Sequence, residues 1–121
     1  MIAAIFMAGS LAAATIDFAA AKQRADLHEA SLSSTQNAGL VKSQGDAAGR
    51  AIAACMPSPA PTALPSFTIV LMLDDAGHPR QTWRQGNSEF ARCVERQFSD
   101  STFFRPPSAP FFTSFAFTFK P

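Results

Sequence analysis

Two cysteines, Cys55 and Cys93, are the residues best equipped for chemistry in this chain of 121 amino acids. A cysteine serves as a nucleophile, a metal ligand or half of a disulfide. Nucleophilic or redox use requires a depressed thiol pKa, usually from a neighbouring histidine or a C-x-x-C spacing. Neither cysteine has a histidine nearby, and the two lie 38 residues apart. The histidines, His28 and His78, are themselves 50 residues apart. Asp74, Asp75 and His78 are close enough in sequence to touch a cation, but their spacing matches neither a calcium loop nor a zinc site. Aspartate is expected there for turn geometry instead. No glycine-rich phosphate loop is present. The net charge is +1, and Arg80, Arg84 and Lys42 do not gather with enough aromatics to form a nucleic-acid platform. The residues point away from an enzyme, and from any cofactor, small-molecule substrate or nucleic acid. A disulfide in an exported protein, or two buried thiols in a cytoplasmic one, remains for the cysteines.

The elements that would carry the cysteines follow from periodicity. Asp46 is a plausible N-cap, and Ala48, Ala51, Ile52, Cys55 and Met56 recur on one helical face. Pro57, Pro59, Pro61 and Pro65 end that helix and extend the chain. Phe67 to Leu73 reads as a strand apolar on both faces, hence central in its sheet. Asp74 to Gly77 forms a turn, and Arg80 to Gln85 a second strand anchored by Trp83. Gly86, Asn87 and Ser88 break that strand and cap a helix from Glu89 to Ser99. Phe90, Cys93, Val94 and Phe98 make its apolar stripe. Phe111 to Phe119 alternates: Phe111, Thr113, Phe115, Phe117 and Phe119 face one way, and Phe112, Ser114, Ala116 and Thr118 the other. The expectation is an α+β domain of order αββαβ, a small antiparallel sheet with helices packed on one face. Both cysteines then sit between helices and sheet. A Cys55–Cys93 disulfide would add roughly 4 kcal/mol in the chain-entropy model, a useful supplement to a small core.

The first half differs. It is rich in alanine, while most phenylalanines fall after Ser66. Residues 1–21 read as a signal peptide: an apolar stretch from Ile2 to Leu11, then two small-x-small sites, Ala12-Ala13-Ala14 and Ala19-Ala20-Ala21, with cleavage expected after Ala21. A retained anchor is the alternative, although the uncharged run is short of the ~20 residues that span a bilayer. Residues 22–45 read as a polar helical piece, Lys22 to Leu32, and then a flexible tether, Ser33 to Gly45. The domain proper is residues 46–121, in a periplasmic location. Ile52-Ala53-Ala54-Cys55 has the letters of a lipobox but lies too far from the start to act as one.

The segment FTIVLMLDDAGHPRQTWRQGNSEFARCVERQF, followed by FFRPP and FTSFAFTF, resembles the C-terminal domain of TonB-type energy transducers, in particular the AgmX/PglI variant. The shared pattern is strand, D-x-x-G turn (Asp74 to Gly77), strand, a helix with a Cys-Val pair (Cys93-Val94) and an aromatic last strand. Cys55 matches the earlier cysteine of that variant. The resemblance implies non-enzymatic protein contact in the periplasm through strand addition at a sheet edge. The Tyr-Pro pair and long Pro-rich spacer of true transducers are missing, so a free-standing envelope-assembly module is expected. Its partner would be an envelope or secretion-machinery protein, or a second copy of this chain. The expected contact residues are Arg80, Thr82 and Arg84 on one edge strand, and Phe112, Ser114, Ala116 and Thr118 on the other. The alternative is a small periplasmic inhibitor or immunity protein that plugs a hydrolase with the Phe103–Pro107 loop and its Arg105.

Overall fold

The computed structural model describes residues 15–119. The apolar stretch Ile2–Leu11 and the small-x-small site Ala12–Ala14 lie outside the described residues. Helix α1 spans Phe18–Ala30, and its N-cap Asp17 accepts a hydrogen bond from the Ala20 amide at 2.8 Å. Helix α2 spans Ser34–Cys55. It opens on a reciprocal capping box between Ser33 and Gln36 and stops where Pro57 would interrupt it.

The stretch from Ser33 to Gly45, expected as a tether, is therefore the first half of α2. Asp46 is not a cap: it sits mid-helix, and its carboxylate pairs with Lys42 at 3.0 Å across one turn. That exposed pair contributes little. What holds the glycine-containing first half of α2 in place is tertiary. Leu40 is buried in the core beside Ala47 and Ala51, Gln44 reaches the sheet, and the Ser43 hydroxyl accepts from the Phe104 amide.

After an extended linker come β1 (Phe67–Leu73), β2 (Pro79–Gln85), α3 (Glu89–Ser99) and β3 (Phe111–Phe117). The sheet has three strands in the order β2-β1-β3, all neighbours antiparallel. The strand that is apolar on both faces is thus the central one. Side chains separate by parity. Phe67, Ile69, Leu71 and Leu73 of β1, with Phe111 and Phe115 of β3, meet α2 and α3 in the main core. Phe90, Val94 and Phe98 of α3 enter the same core. Phe98 packs on Phe103 and Phe115 with ring centroids 5.9 and 4.5 Å apart. The alternating strand expected over Phe111 to Phe119 is present as Phe111–Phe117, two residues shorter.

The two helices expected on one face are there. A third, α1, covers the opposite face. Its Ala21 and Ala25 methyls lie against Val70, Trp83 and Phe112, with Ile16 and Phe18 at the border. The small alanine side chains let the helix approach the sheet closely. Trp83 donates its indole N–H to the Ile16 carbonyl at 2.9 Å, so the one tryptophan is buried with its polar atom satisfied.

Cys55, the last residue of α2, is bonded to Cys93 on α3, with Cα atoms 5.8 Å apart. That spacing is typical of a disulfide. The bond fastens the end of α2 to the helix beside it.

Candidate functional site

A three-stranded sheet has two outer edges, each a row of main-chain donors and acceptors open to another strand. In this molecule the two edges have different fates, and hydrogen bonds from α1 decide which is which. The Phe112 amide donates to His28 Nδ1 at 3.0 Å. The Ser114 amide donates to Glu29 Oε2 at 2.9 Å, and the Thr113 hydroxyl donates to the same oxygen at 2.6 Å. From α2, the Gln44 side-chain amide donates to Thr113 Oγ1 at 2.8 Å and to the Ser114 carbonyl at 3.3 Å. The C-terminal turn of α1 and the middle of α2 therefore occupy the outer edge of β3 through Ser114.

His28 is well suited to this position. It packs on the rings of Phe111 and Phe112 at centroid distances of 5.5 and 5.6 Å. Burial, and then the Arg24 guanidinium, hold its pKa below the ordinary imidazole value. Both effects favour the neutral ring, whose Nδ1 lone pair the Phe112 amide requires.

The same bonds fix the polarity of the whole ladder. If the amides of Phe112 and Ser114 point outward, Thr113 bonds to its partner Leu71 on β1. Antiparallel alternation then turns Val70 and Met72 toward Trp83 and Gln81 of β2. The N–H and C=O groups of Thr82 and Arg84 must consequently point away from the sheet. Among the described residues, no backbone partner outside the ladder reaches them, and the outer edge of β2 is open.

The side chains along that edge are held in place. Glu95 of α3 accepts from the Thr82 hydroxyl at 2.7 Å and from the Arg84 guanidinium at 2.6 Å. The Arg84–Glu95 pair is four-fifths buried, with side-chain exposures of 20% and 18%. Arg84 also donates through Nε to the Gly86 carbonyl at 2.7 Å. Arg80 is exposed at the start of the strand, 3.7 Å from Asp74. A bulge between Met72 and Leu73 shifts the register beside it.

The expected contact residues divide accordingly. Arg80, Thr82 and Arg84 line an open main chain. Phe112 is buried beneath α1, and Ser114 has both its amide and its carbonyl engaged. Ala116 is exposed and Thr118 lies past the end of β3, so only the last turn of that edge is accessible. Beside it, α2 and β3 flank an open depression of about 350 Å³ lined by Val41, Gly45, Ala48 and Phe117.

Two further candidates lie at the β1–β2 turn and beside it. Asp74 accepts from the amides of Ala76 and His78, each at 2.9 Å, and closes the β1–β2 turn. In the Phe103–Pro107 segment the first two residues are held, for Phe103 is buried, its amide donates to the Gly77 carbonyl at 2.9 Å, and Phe104 packs on Phe111, while Arg105 and Pro107 are exposed. Among the described residues, no group of three His, Cys, Asp or Glu side chains could hold a metal ion. No helix of the described residues is long and apolar enough to cross a membrane.

Sequence reasoning missed His28, Glu29 and Gln44. Their work depends on contacts more than sixty residues away in sequence, and nothing in their local spacing announces it. No protein-family model, curated protein or solved structure matches this chain.

Proposed function

We propose that this protein is a non-enzymatic binding module that captures an extended segment of a partner protein by strand addition along the outer edge of β2. The observation that carries this reading is the asymmetry of the sheet. One edge is filled by His28, Glu29 and Gln44, and the other presents the main chain of Thr82 and Arg84. Main-chain bonds would supply affinity, and the alternating side chains of the added strand would supply specificity. The disulfide favours an oxidising compartment, and on the export reading the partner is an envelope or secretion-machinery protein. A second copy fits this edge poorly. Antiparallel pairing of two β2 strands about Thr82 would set Arg80 opposite Arg84 of the other copy, and like charges directly opposite are unfavourable. The alternative reading, an inhibitor that plugs a hydrolase, would use the exposed Arg105 beyond the anchored Phe103 and Phe104.

The test is crosslinked capture from the cell envelope with a tagged chain and two proline variants. In Thr82→Pro the lost N–H is an outward one, which an edge strand tolerates. Ala116→Pro does the same at the accessible end of β3. Capture lost in Thr82→Pro and kept in Ala116→Pro, with both thermal transitions intact, is the expected result. Capture surviving both variants would overturn strand addition.

A further inference from the structure

We propose that the Cys55–Cys93 disulfide is an exchange site for a small anionic thiol, which opens the bond at Cys55 and stays there as a mixed disulfide while Cys93 leaves as the thiolate.

Neither half of the bond is sealed in the core. Cys55 and Cys93 are both partly buried, and both line an open depression of about 390 Å³. That volume lies in the range of small-molecule sites. Access matters because exchange proceeds by direct attack of a thiolate on a disulfide sulfur. The charges around the depression are mainly of one sign. Arg92 and Arg96 line it and are exposed, and Glu89 is the one acidic residue there. The Arg92 guanidinium donates to the Asn87 carbonyl at 2.6 Å. That neutral acceptor holds the side chain at the start of α3 and leaves its charge uncompensated. Among the described residues, neither arginine forms an ion pair. Guanidinium groups placed this way attract carboxylates and pair with them in two-pronged fashion. A thiol that carries carboxylates, as glutathione does, fits this chemistry.

The two sulfurs are not equivalent. Cys55 is the last residue of α2, and no basic residue lies in the last turn of that helix. A helix C-terminus disfavours negative charge, so a thiolate is poorly placed on Cys55. Cys93 lies in the N-terminal half of α3, with Arg92 before it and Arg96 one turn on. Neighbouring guanidinium groups stabilise a thiolate. The sulfur that better holds negative charge is the better leaving group, so attack falls on Cys55. The incoming thiolate bonds to Cys55 Sγ, the disulfide bond breaks, and its electron pair goes to Cys93 Sγ. The incoming thiol is oxidised to the disulfide level and Cys93 is reduced, so no other oxidant takes part. The Cys93 thiolate exchanges its proton with water. The end of α2 is then no longer fastened to α3. Thr82 and Arg84 bind Glu95, on a different face of α3, so this site stands apart from strand addition.

The experiment treats the folded, oxidised full chain with glutathione and with cysteamine, a cationic thiol, at equal thiolate concentration. After acid quenching, intact mass gives the rate and peptide mapping gives the place of the adduct. Glutathione should form its adduct on Cys55, faster than cysteamine by about fivefold, the factor that one exposed ion pair supplies. High salt should shrink that preference. Replacing both arginines by Arg92→Gln and Arg96→Gln should remove it, and replacing both by lysine should keep it, with thermal transitions confirming that the variants fold. The salt series on the parent chain needs no variant to fold. Equal rates for the two thiols, or a preference that survives both high salt and the glutamine pair, overturn the anionic site. An adduct on Cys93 overturns the direction of attack. A bond that opens only after urea has unfolded the chain overturns the exchange site altogether and leaves the disulfide a staple.

Discussion

At Gly77 the backbone turns with φ at +86°, and a Cβ there would collide with the carbonyl oxygens of Phe103 and Phe104. Gly77→Ala therefore imposes both a left-handed strain and a clash against main chain that cannot move aside. A loss of about 2–3 kcal/mol is expected from the strain and crowding together, read as a lowered urea midpoint. Two titratable groups, His28 and Asp74, give the stability a pH dependence in separate windows. His28 has a pKa lowered from 6.5, first by burial and then by Arg24. Between the lowered folded value and 6.5 the unfolded chain binds more protons, so stability rises with pH through that window. The contribution is complete above 6.5 and is lost as pH falls toward the folded value. Asp74 has its pKa lowered, chiefly by the His78 amide and also by the Ala76 amide and the charges of His78 and Arg80. Its contribution is present above the ordinary carboxylate value of 3.8 and is lost as pH falls through the lower folded one. Urea midpoints measured against pH should thus fall in two steps. His28→Gln should remove the upper step alone, and an upper step that persists would show that another group carries it.

Helix α1 covers one face of the sheet with little more than two alanine methyls and closes one edge with two polar side chains. Glu29→Ala leaves the Ser114 amide without its acceptor and takes one partner from the buried Thr113 hydroxyl. The expected cost is about 1–3 kcal/mol. Hydrogen exchange should accelerate at Phe112 and Ser114 while the amide of Leu71, on the central strand, keeps its protection. Uniform acceleration across the sheet would mean that Glu29 supports the whole fold and not that edge. The difficulty of reading α1 and the start of α2 from sequence has the same origin. The strands and α3 carry their own signals: Phe111–Phe117 alternates, and Phe90, Val94 and Phe98 recur at helical spacing. In α1 the buried positions are Ala21 and Ala25, too small to stand out as an apolar stripe in an alanine-rich stretch. In the first half of α2, Gly39 and Gly45 lower helix propensity, and burial of Leu40 together with the Gln44 and Ser43 bonds outweighs it. One local signal was present, the Ser33–Gln36 capping box. The open edge at Arg80, Thr82 and Arg84 was legible because β2 is a short polar strand beside an apolar central one. The closed edge was not, since His28 and Phe112 are joined only by the fold.

Across the whole molecule, the disulfide encloses the linker, the β1–β2 hairpin and the first part of α3, and leaves α1 and β3 outside the covalent loop. Closing a loop of 38 residues is worth about 4 kcal/mol in the chain-entropy model. The net stability of a small domain is about 5–15 kcal/mol, so Cys55→Ser with Cys93→Ser should remain folded at low temperature but lose much of its resistance to urea. A lower midpoint with an unchanged slope is the expected signature, since the slope follows the surface exposed on unfolding. The same variant separates scaffold from site. The β2 edge is organised by hydrogen bonds to Glu95 and by pairing with β1, and the partly buried disulfide lies on the other flank of α3, where Cys93 meets Cys55. Under conditions where the double variant is folded, capture of a partner through Thr82 and Arg84 should match that of the parent chain. Capture lost from a folded double variant would place the disulfide, or the surface around Arg92 and Arg96 beside it, in the docking interface.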